Sequence, residues 1–250
     1  MDTEIALVGM RAPEFDVPQM LDVPGGLFTM GSTEYGDEAP IRTVTLSPYR
    51  IGKYPVTVSQ FKAFIEATQH DVHPELTAIL TDEAKQDHPV TYVSHSDAVT
   101  YLKWLSETTG RSFRLPTEAE WERAARGANA QRFPFGNDGN QIAKLVEQGA
   151  VVFNSNAGTR PVHRGNANES PSGALDMAGN VWEWVADWYA EGYNPKDIKD
   201  PKGPDEGQSR VLRGGSWSND LEDDLRGSHR DSLDPSNQTD YAGFRPVGDI

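Results

Sequence analysis

Apolar positions along the chain fall into two periods, and each predicts its own elements. From Thr57, which with Gln60 forms a capping-box pattern, Val58, Phe61, Phe64 and Ile65 make one apolar stripe, so the spacing predicts a helix ending near His70. A second follows Ser94 and its partner Asp97, with Ala98, Tyr101, Leu102 and Leu105 at i, i+3, i+4 and i+7 and Gly110 as the stop. The third, 117–127, carries complete cap chemistry: Thr117 first, Glu120 reaching back, Arg126 near the end and Gly127 after it. Alternation with period two marks strands at 25–32, at Thr43 to Leu46 and from Ile51 to Tyr54, and the runs 211–217 and 243–247 read as two more. Residues 70–90 are less legible and carry a helical turn around Leu76, Ile79 and Leu80. The segments 128–174 and 218–242 read as irregular, and 1–23, with Pro13 and Pro18, as an extended lead-in lying on the domain.

One stretch does not fit a half-solvated strand. Between Val181 and Val185 the chain is almost wholly apolar, with Trp182 and Trp184 around a single carboxylate, Glu183. A strand of this kind crosses a core, and a carboxylate buried there must be paired, hydrogen-bonded or metal-bound. Two arrangements are open. An arginine partner is the plainer one. Alternatively, Asp176, Gly179, Val181 and Glu183 are spaced so that two side chains and two main-chain carbonyls converge on one hard cation such as Ca2+, with Gly179 allowing the turn.

Composition narrows the function classes. The 250 residues include no cysteine, which excludes disulfides, thiolate metal sites and cysteine nucleophiles from this chain. A formal net charge of -15 opposes binding to nucleic acid or to an anionic membrane. The N-terminal stretch has acids where a signal peptide needs bases, and no apolar run approaches the ~20 residues of a membrane span, so a cytoplasmic protein with no membrane insertion is expected. With 23 glycines and 17 prolines the fold should be loop-rich, a single α+β domain with little regular structure. The six histidines, His70, His73, His88, His95, His163 and His229, show no ligand spacing beyond the pair at 70 and 73, which reads as a solvated turn.

The runs 25–32, 54–57, 114–122, Gly179-Asn180-Val181-Trp182-Glu183-Trp184, 210–217 and Gly243-Phe244-Arg245 together resemble the formylglycine-generating enzyme (sulfatase-modifying factor) family in order and spacing, from about residue 24 to 247. The resemblance implies a formylglycine-generating-enzyme-like variant of the C-type lectin fold. Enzymes of that family oxidise a substrate cysteine with two copper-binding cysteines in the loop after Gly-Gly-Ser-aromatic. Here that loop is Ser218 to Leu225, without a thiol, and oxygen ligands do not replace thiolates for Cu(I), so no copper and no formylglycine generation are expected. The related iron-dependent sulfoxide synthases draw their histidine ligands from an additional helical domain. The family's calcium positions fall on Asp176, Gly179, Val181 and Glu183, and a second calcium site would begin at Asn154 and Ser155.

The acids Asp220, Glu222, Asp223 and Asp224 read as a solvated loop or as a binding loop for a basic partner. Arg213, Arg226, Arg230 and Arg245 read as internal counterparts of buried acids. Ser218, Asn219, Asp220, His229, Asp231, Leu233, Thr239, Asp240, Tyr241 and Ala242 are all residues that adenine replacement in an asparagine codon can produce. Set between Gly-Gly-Ser-Trp and Gly-Phe-Arg, they resemble the variable region of diversity-generating retroelement proteins. The resulting expectation is a non-catalytic module that binds a protein or small-molecule ligand on residues 217–242, through Trp217, Asn219, Asp220, Glu222, Asp224, His229, Asp231, Leu233, Asp240 and Tyr241. An oxygenase with an unrecognised site and an accessory factor in secondary metabolism or signalling are the alternatives. On the display reading the side chains of residues 217–242 are mostly exposed, Trp217 is partly buried at the edge, and changing Asn219, Asp220, His229, Asp231, Leu233 and Tyr241 together costs little stability.

Overall fold

The computed structural model describes residues 15–162 and 167–250. The first fourteen residues of the lead-in and His163 lie outside the described residues. In chain order the elements are β1 (Met20–Val23), β2 (Gly26–Met30), β3 (Arg42–Leu46), β4 (Tyr49–Gly52), α1 (Val58–Thr68), α2 (Pro74–Thr81), α3 (His95–Thr109), α4 (Glu118–Arg126), α5 (Ile142–Glu147), β5 (Trp182–Trp188), β6 (Arg210–Arg213), β7 (Arg230–Leu233), β8 (Ala242–Gly243) and β9 (Val247–Asp249).

The helices start where the cap chemistry places them. At Thr57, Ser94 and Thr117 both halves of the capping box are formed, the side chain accepting from the third helical amide while that residue's side chain accepts from the cap amide. Gln69 and Gly110 close α1 and α3 in the left-handed conformation. The expected helical turn near Leu76 is the full helix α2, entered through Pro74 and capped by the His73 ring. Two elements arise where irregular chain is expected. The six residues of α5 are too few to show a period. In β7 the inward position belongs to an arginine, Arg230, and Leu233 is its one apolar residue, so its sequence shows no alternation. The closing strand is split into β8 and β9 around Pro246, and the last residues of the lead-in form β1.

β4 is flanked by β1 and β9, so the first and last strands share one sheet. β2 and β3 form an antiparallel pair. The third sheet runs β7-β6-β5-β8, with β5 parallel to β8. β5 is buried on both faces. Trp182 and Trp184 pack with α1, α3 and Phe244, whereas Val185 faces α4, Trp121 and the β2–β3 pair. That two-sided burial is what the unbroken apolar run from Val181 encodes. Among the described residues no helix is long and apolar enough to cross a membrane.

Candidate functional site

With so little regular structure, buried ion pairs hold the loops. Arg245 and Glu183 are both fully buried: Nε and Nη2 of the arginine donate to the two carboxylate oxygens at 2.6 Å each, and the Trp121 indole adds a third donor at 2.7 Å. The remaining Arg245 donors reach the carbonyls of Gly52 and Leu175 at 2.9 Å, which joins β4 and the approach to β5 to the C-terminal strand. Arg213 donates to Glu118 and Glu122, Arg230 grips Glu118 through Nε and Nη2, and Arg226 grips Glu38 in the same bidentate way. All four arginines read from the sequence as internal counterparts therefore have buried acids as partners. Burial alone would raise the Glu38 carboxyl, but hydrogen bonds from Arg226 and Ser32 hold it at about 2.

This geometry bears on the cation arrangement. Both Glu183 oxygens already accept N–H donors, Oε2 from Arg245 and Trp121 and Oε1 from Arg245, so Ca2+ at this carboxylate would compete with the guanidinium. Asp176 is buried and accepts from the amides of Asn168 and Asn180 at 3.3 and 3.4 Å. Gly179 turns the chain with φ of 83°, and its carbonyl accepts from the Val181 amide. A side chain at Gly179 would strike the Val152 carbonyl at 2.4 Å, so this glycine is required by close packing as well as by φ. Among the described residues no group of three or more His, Asp or Glu is placed to hold a metal ion.

The segment 217–242 divides into two kinds of position. Asp220, Glu222, Asp231 and Asp240 are exposed, and Trp217, Asn219, Asp224, His229, Leu233 and Tyr241 are half-buried, so none of the ten candidate ligand-binding residues is sealed in the core. Ala242, counted among the adenine-accessible positions, is buried in β8 opposite Trp182. The half-buried positions have structural partners. Asn219 closes its own turn: Oδ1 accepts from the amide and hydroxyl of Ser216 at 2.8 Å, and Nδ2 donates to Asp224 at 2.7 Å. Leu233 and Tyr241 pack on the cluster of α1 and α3. The expectation that all these positions can be changed together at little cost is corrected accordingly.

His229 occupies the junction of the two kinds. Its Nδ1 accepts from Arg226 at 3.2 Å and its Nε2 lies 3.4 Å from Asp224. Burial pushes its pKa down, and although Asp224 opposes this the Arg226 guanidinium adds to it. A neutral ring with the proton on Nε2 fits both contacts.

Several residues of this face come from distant parts of the chain. The Tyr35 ring stands edge-on to His229 with centroids 5.6 Å apart, its hydroxyl donates to Asp223, and its face covers Arg226. Arg132 links Glu34 to Asp223. On the other side the Trp217 indole donates to the Asp240 carbonyl, in a groove shared with Tyr92, whose ring stacks on His73. Tyr92 has φ of 57°, a strained conformation for a bulky residue, and its amide is held by the Thr239 carbonyl. No local pattern marks Tyr35 or Tyr92. Asn154 and Ser155, expected to begin a second calcium site, donate their amides to the carbonyls of Asn219 and Trp217 and so brace the loop.

The three small sheets, the doubly buried β5 and the arginine-anchored loops define an α+β domain of the C-type-lectin kind. The chain belongs to the sulfatase-modifying factor enzyme 1-like domain family, whose model matches residues 6–250. It is 32% identical to the formylglycine-generating enzyme of Thermomonospora curvata over an alignment of 303 residues, covering 96% of each chain. It is also 33% identical to the serine/threonine-protein kinase pkn1 of Chlamydia pneumoniae, over 95% of this chain but 39% of the kinase. Among solved structures, PvdO from Pseudomonas aeruginosa superposes with a TM-score of 0.78 at 28% identity, covering 93% of this chain and 95% of that one. Treponema denticola variable protein 1 superposes at 0.76 with 24% identity, covering 92% and 95%, which is a likeness of fold. The formylglycine-generating-enzyme-like variant of the C-type lectin fold is thus the architecture of this chain.

Proposed function

We propose that the chain is a non-catalytic binding module that presents residues 217–242, with Tyr35 and Tyr92 at the margins, to a partner with a basic surface. The observation that carries this reading is the division just described. Asp220, Glu222 and Asp240 are exposed and their carboxylates have no hydrogen-bond or ion-pair partner among the described residues. The residues around them are braced by Asn219, Arg226 and Glu38. A preorganised acidic surface of this kind loses little conformational entropy on binding. The loop after Gly214-Gly215-Ser216 offers an amide and carboxylates where the family's oxidases require thiolates. Diversification of the exposed positions by a retroelement is consistent with the residue types found there.

A photo-crosslinking amino acid at position 220 tests the reading, with position 103 on α3, outside residues 217–242, as control. A discrete adduct at 220 that disappears when Glu222, Asp231 and Asp240 are changed to Ser supports it, and equal labelling from 103 refutes it. Identity with the Thermomonospora enzyme favours an oxygenase as second reading. The discriminating assay incubates the protein with a Cys-x-Pro-x-Arg peptide, copper, oxygen and reductant. An aldehyde product above the no-protein control would establish the oxygenase.

A further inference from the structure

A cavity of about 840 Å³ opens between α3 and the turn that joins β3 to β4, and none of the ten ligand-face residues lines it. Its size falls within the range of small-molecule sites. The walls are apolar: Leu46, Pro48, Val99, Leu102, Phe113 and Leu115. Val99 is a helix residue left 46% exposed.

Most of the charged groups around the cavity have polar partners; Lys202, which also lines it, is exposed and has none among the described residues. Glu120 is held by Arg114 through two contacts of 2.7 Å, Asp200 accepts from the amide and hydroxyl of Ser47, and Asp249 accepts from Ser112. At the rim Lys103 lies 3.9 Å from Glu107. The one unpartnered charge is thus on an exposed side chain, and burying a ligand ion in the interior would be costly.

It does offer one directional polar group. His95 lines the cavity and is only 8% exposed. Its Nε2 is 3.0 Å from the Val185 carbonyl, which can only accept, so the proton lies on Nε2. Nδ1 is left as a lone-pair acceptor without a partner among the described residues, and it is not among the polar atoms sealed from solvent. Burial and the nearby Arg210 keep the ring uncharged, lowering its pKa to about 4.

We propose that this cavity is a second binding site, for an uncharged, mainly apolar small molecule whose hydroxyl or N–H donates to His95 Nδ1. The apolar body fills the space between α3 and Phe113, and the donor end meets the histidine. Anionic analogues are disfavoured by the neutral acceptor, which offers them no proton, and by the Glu120 carboxylate in the lining. Cationic ones are disfavoured by Arg210.

The test uses 2-naphthol, naphthalene and 2-naphthoate, titrated into the full chain at pH 7.5 and followed by protein NMR. The expected order is 2-naphthol first, about threefold to tenfold tighter than naphthalene, the ratio that one net hydrogen bond supplies, with 2-naphthoate weakest. Val99→Trp, a change at the partly exposed mouth, should fill the cavity and abolish naphthol binding while the melting temperature is kept. Asp220→Ser, outside the cavity lining, should leave binding intact. Absence of naphthol binding, equal affinity for the naphthoate, or binding that survives Val99→Trp would each overturn the proposal.

Discussion

Arg245 closes on both oxygens of Glu183 from a position 62 residues further along the chain, and neither side chain touches solvent. Such a pair need not be more stable than an apolar one of the same shape, but breaking it strands a buried charge. Glu183→Gln should therefore destabilise the protein by about 3–5 kcal/mol in urea unfolding. A double change of Glu183→Leu with Arg245→Met should recover much of that loss. If the single variant unfolds like the native chain, the pair is not an anchor.

The same contact predicts the response to metal removal. Because Glu183 is engaged by Arg245 and Trp121, dialysis against EDTA should leave the melting temperature unchanged. A drop that added Ca2+ reverses would show that the cation binds the folded state.

Asp187 is buried beside Glu118, and burial followed by that neighbouring charge pushes its pKa up to about 8. Its folded value exceeds the unfolded value of about 3.9, so the folded state retains the proton longer and this group makes stability fall as pH rises from about 4 to 8. Asp187→Asn keeps an acceptor for the Glu118 amide, which now bonds Oδ2 at 2.8 Å. It should be neutral at pH 4 and stabilising at pH 9, because only above about pH 8 does the native side chain carry the charge that burial and Glu118 penalise. Urea melts at the two pH values read the difference, and an equal effect at both would remove Asp187 from the account.

His95 acts in the opposite sense. With its folded pKa lowered to about 4, the unfolded chain binds more protons between pH 4 and about 6.5. Its contribution is present above 6.5 and is lost as pH falls toward 4. The melting temperature of the native protein should decline across this window, and His95→Gln should flatten the decline. An unchanged slope would place the acid sensitivity elsewhere.

The face itself should show two classes of response. Changing Asp220, Glu222, Asp231 and Asp240 together to Ser should lower the melting temperature by no more than about 3 °C, since exposed positions away from caps and core contribute little. Asn219→Ala removes three hydrogen bonds and should cost about 1–2 kcal/mol by itself. Reversal of that order in thermal melts would mean that the acids carry the fold.

What could be read from the sequence follows the range of the interactions involved. Thr57, Ser94 and Thr117 announce their helices because a cap and its partner lie three residues apart. The apolar run around Trp184 announces a strand buried on both faces. The need for arginine partners was legible from the buried acids, but the pairing was not: Arg226 finds Glu38 across 188 positions and Arg213 finds Glu122 across 91. Tyr35 and Tyr92 were missed for the same reason, since their place on the face is set by tertiary contact. α5 and β7 were missed because six residues show no period and because an inward arginine disguises a strand.

Residues 225–230 interrupt the C-terminal segment with Leu225, Arg226, Gly227, Ser228 and Arg230 all buried, and only His229 reaching the surface. Gly215, with φ of 74°, lies 2.9 Å from the Asp224 carbonyl by its missing Cβ and fixes where this interruption begins. For anyone building a combinatorial library on this chain, the segment is two windows, 218–223 and 231–240, with a closed block between them. A library that randomised 217–242 as one cassette would strip Glu38 of Arg226 and Glu118 of Arg230 in most clones. One confined to the two windows, and sparing Asn219, Leu233 and Gln238 within them, would leave every buried charge matched, so its clones would differ in what they bind and agree in how they fold.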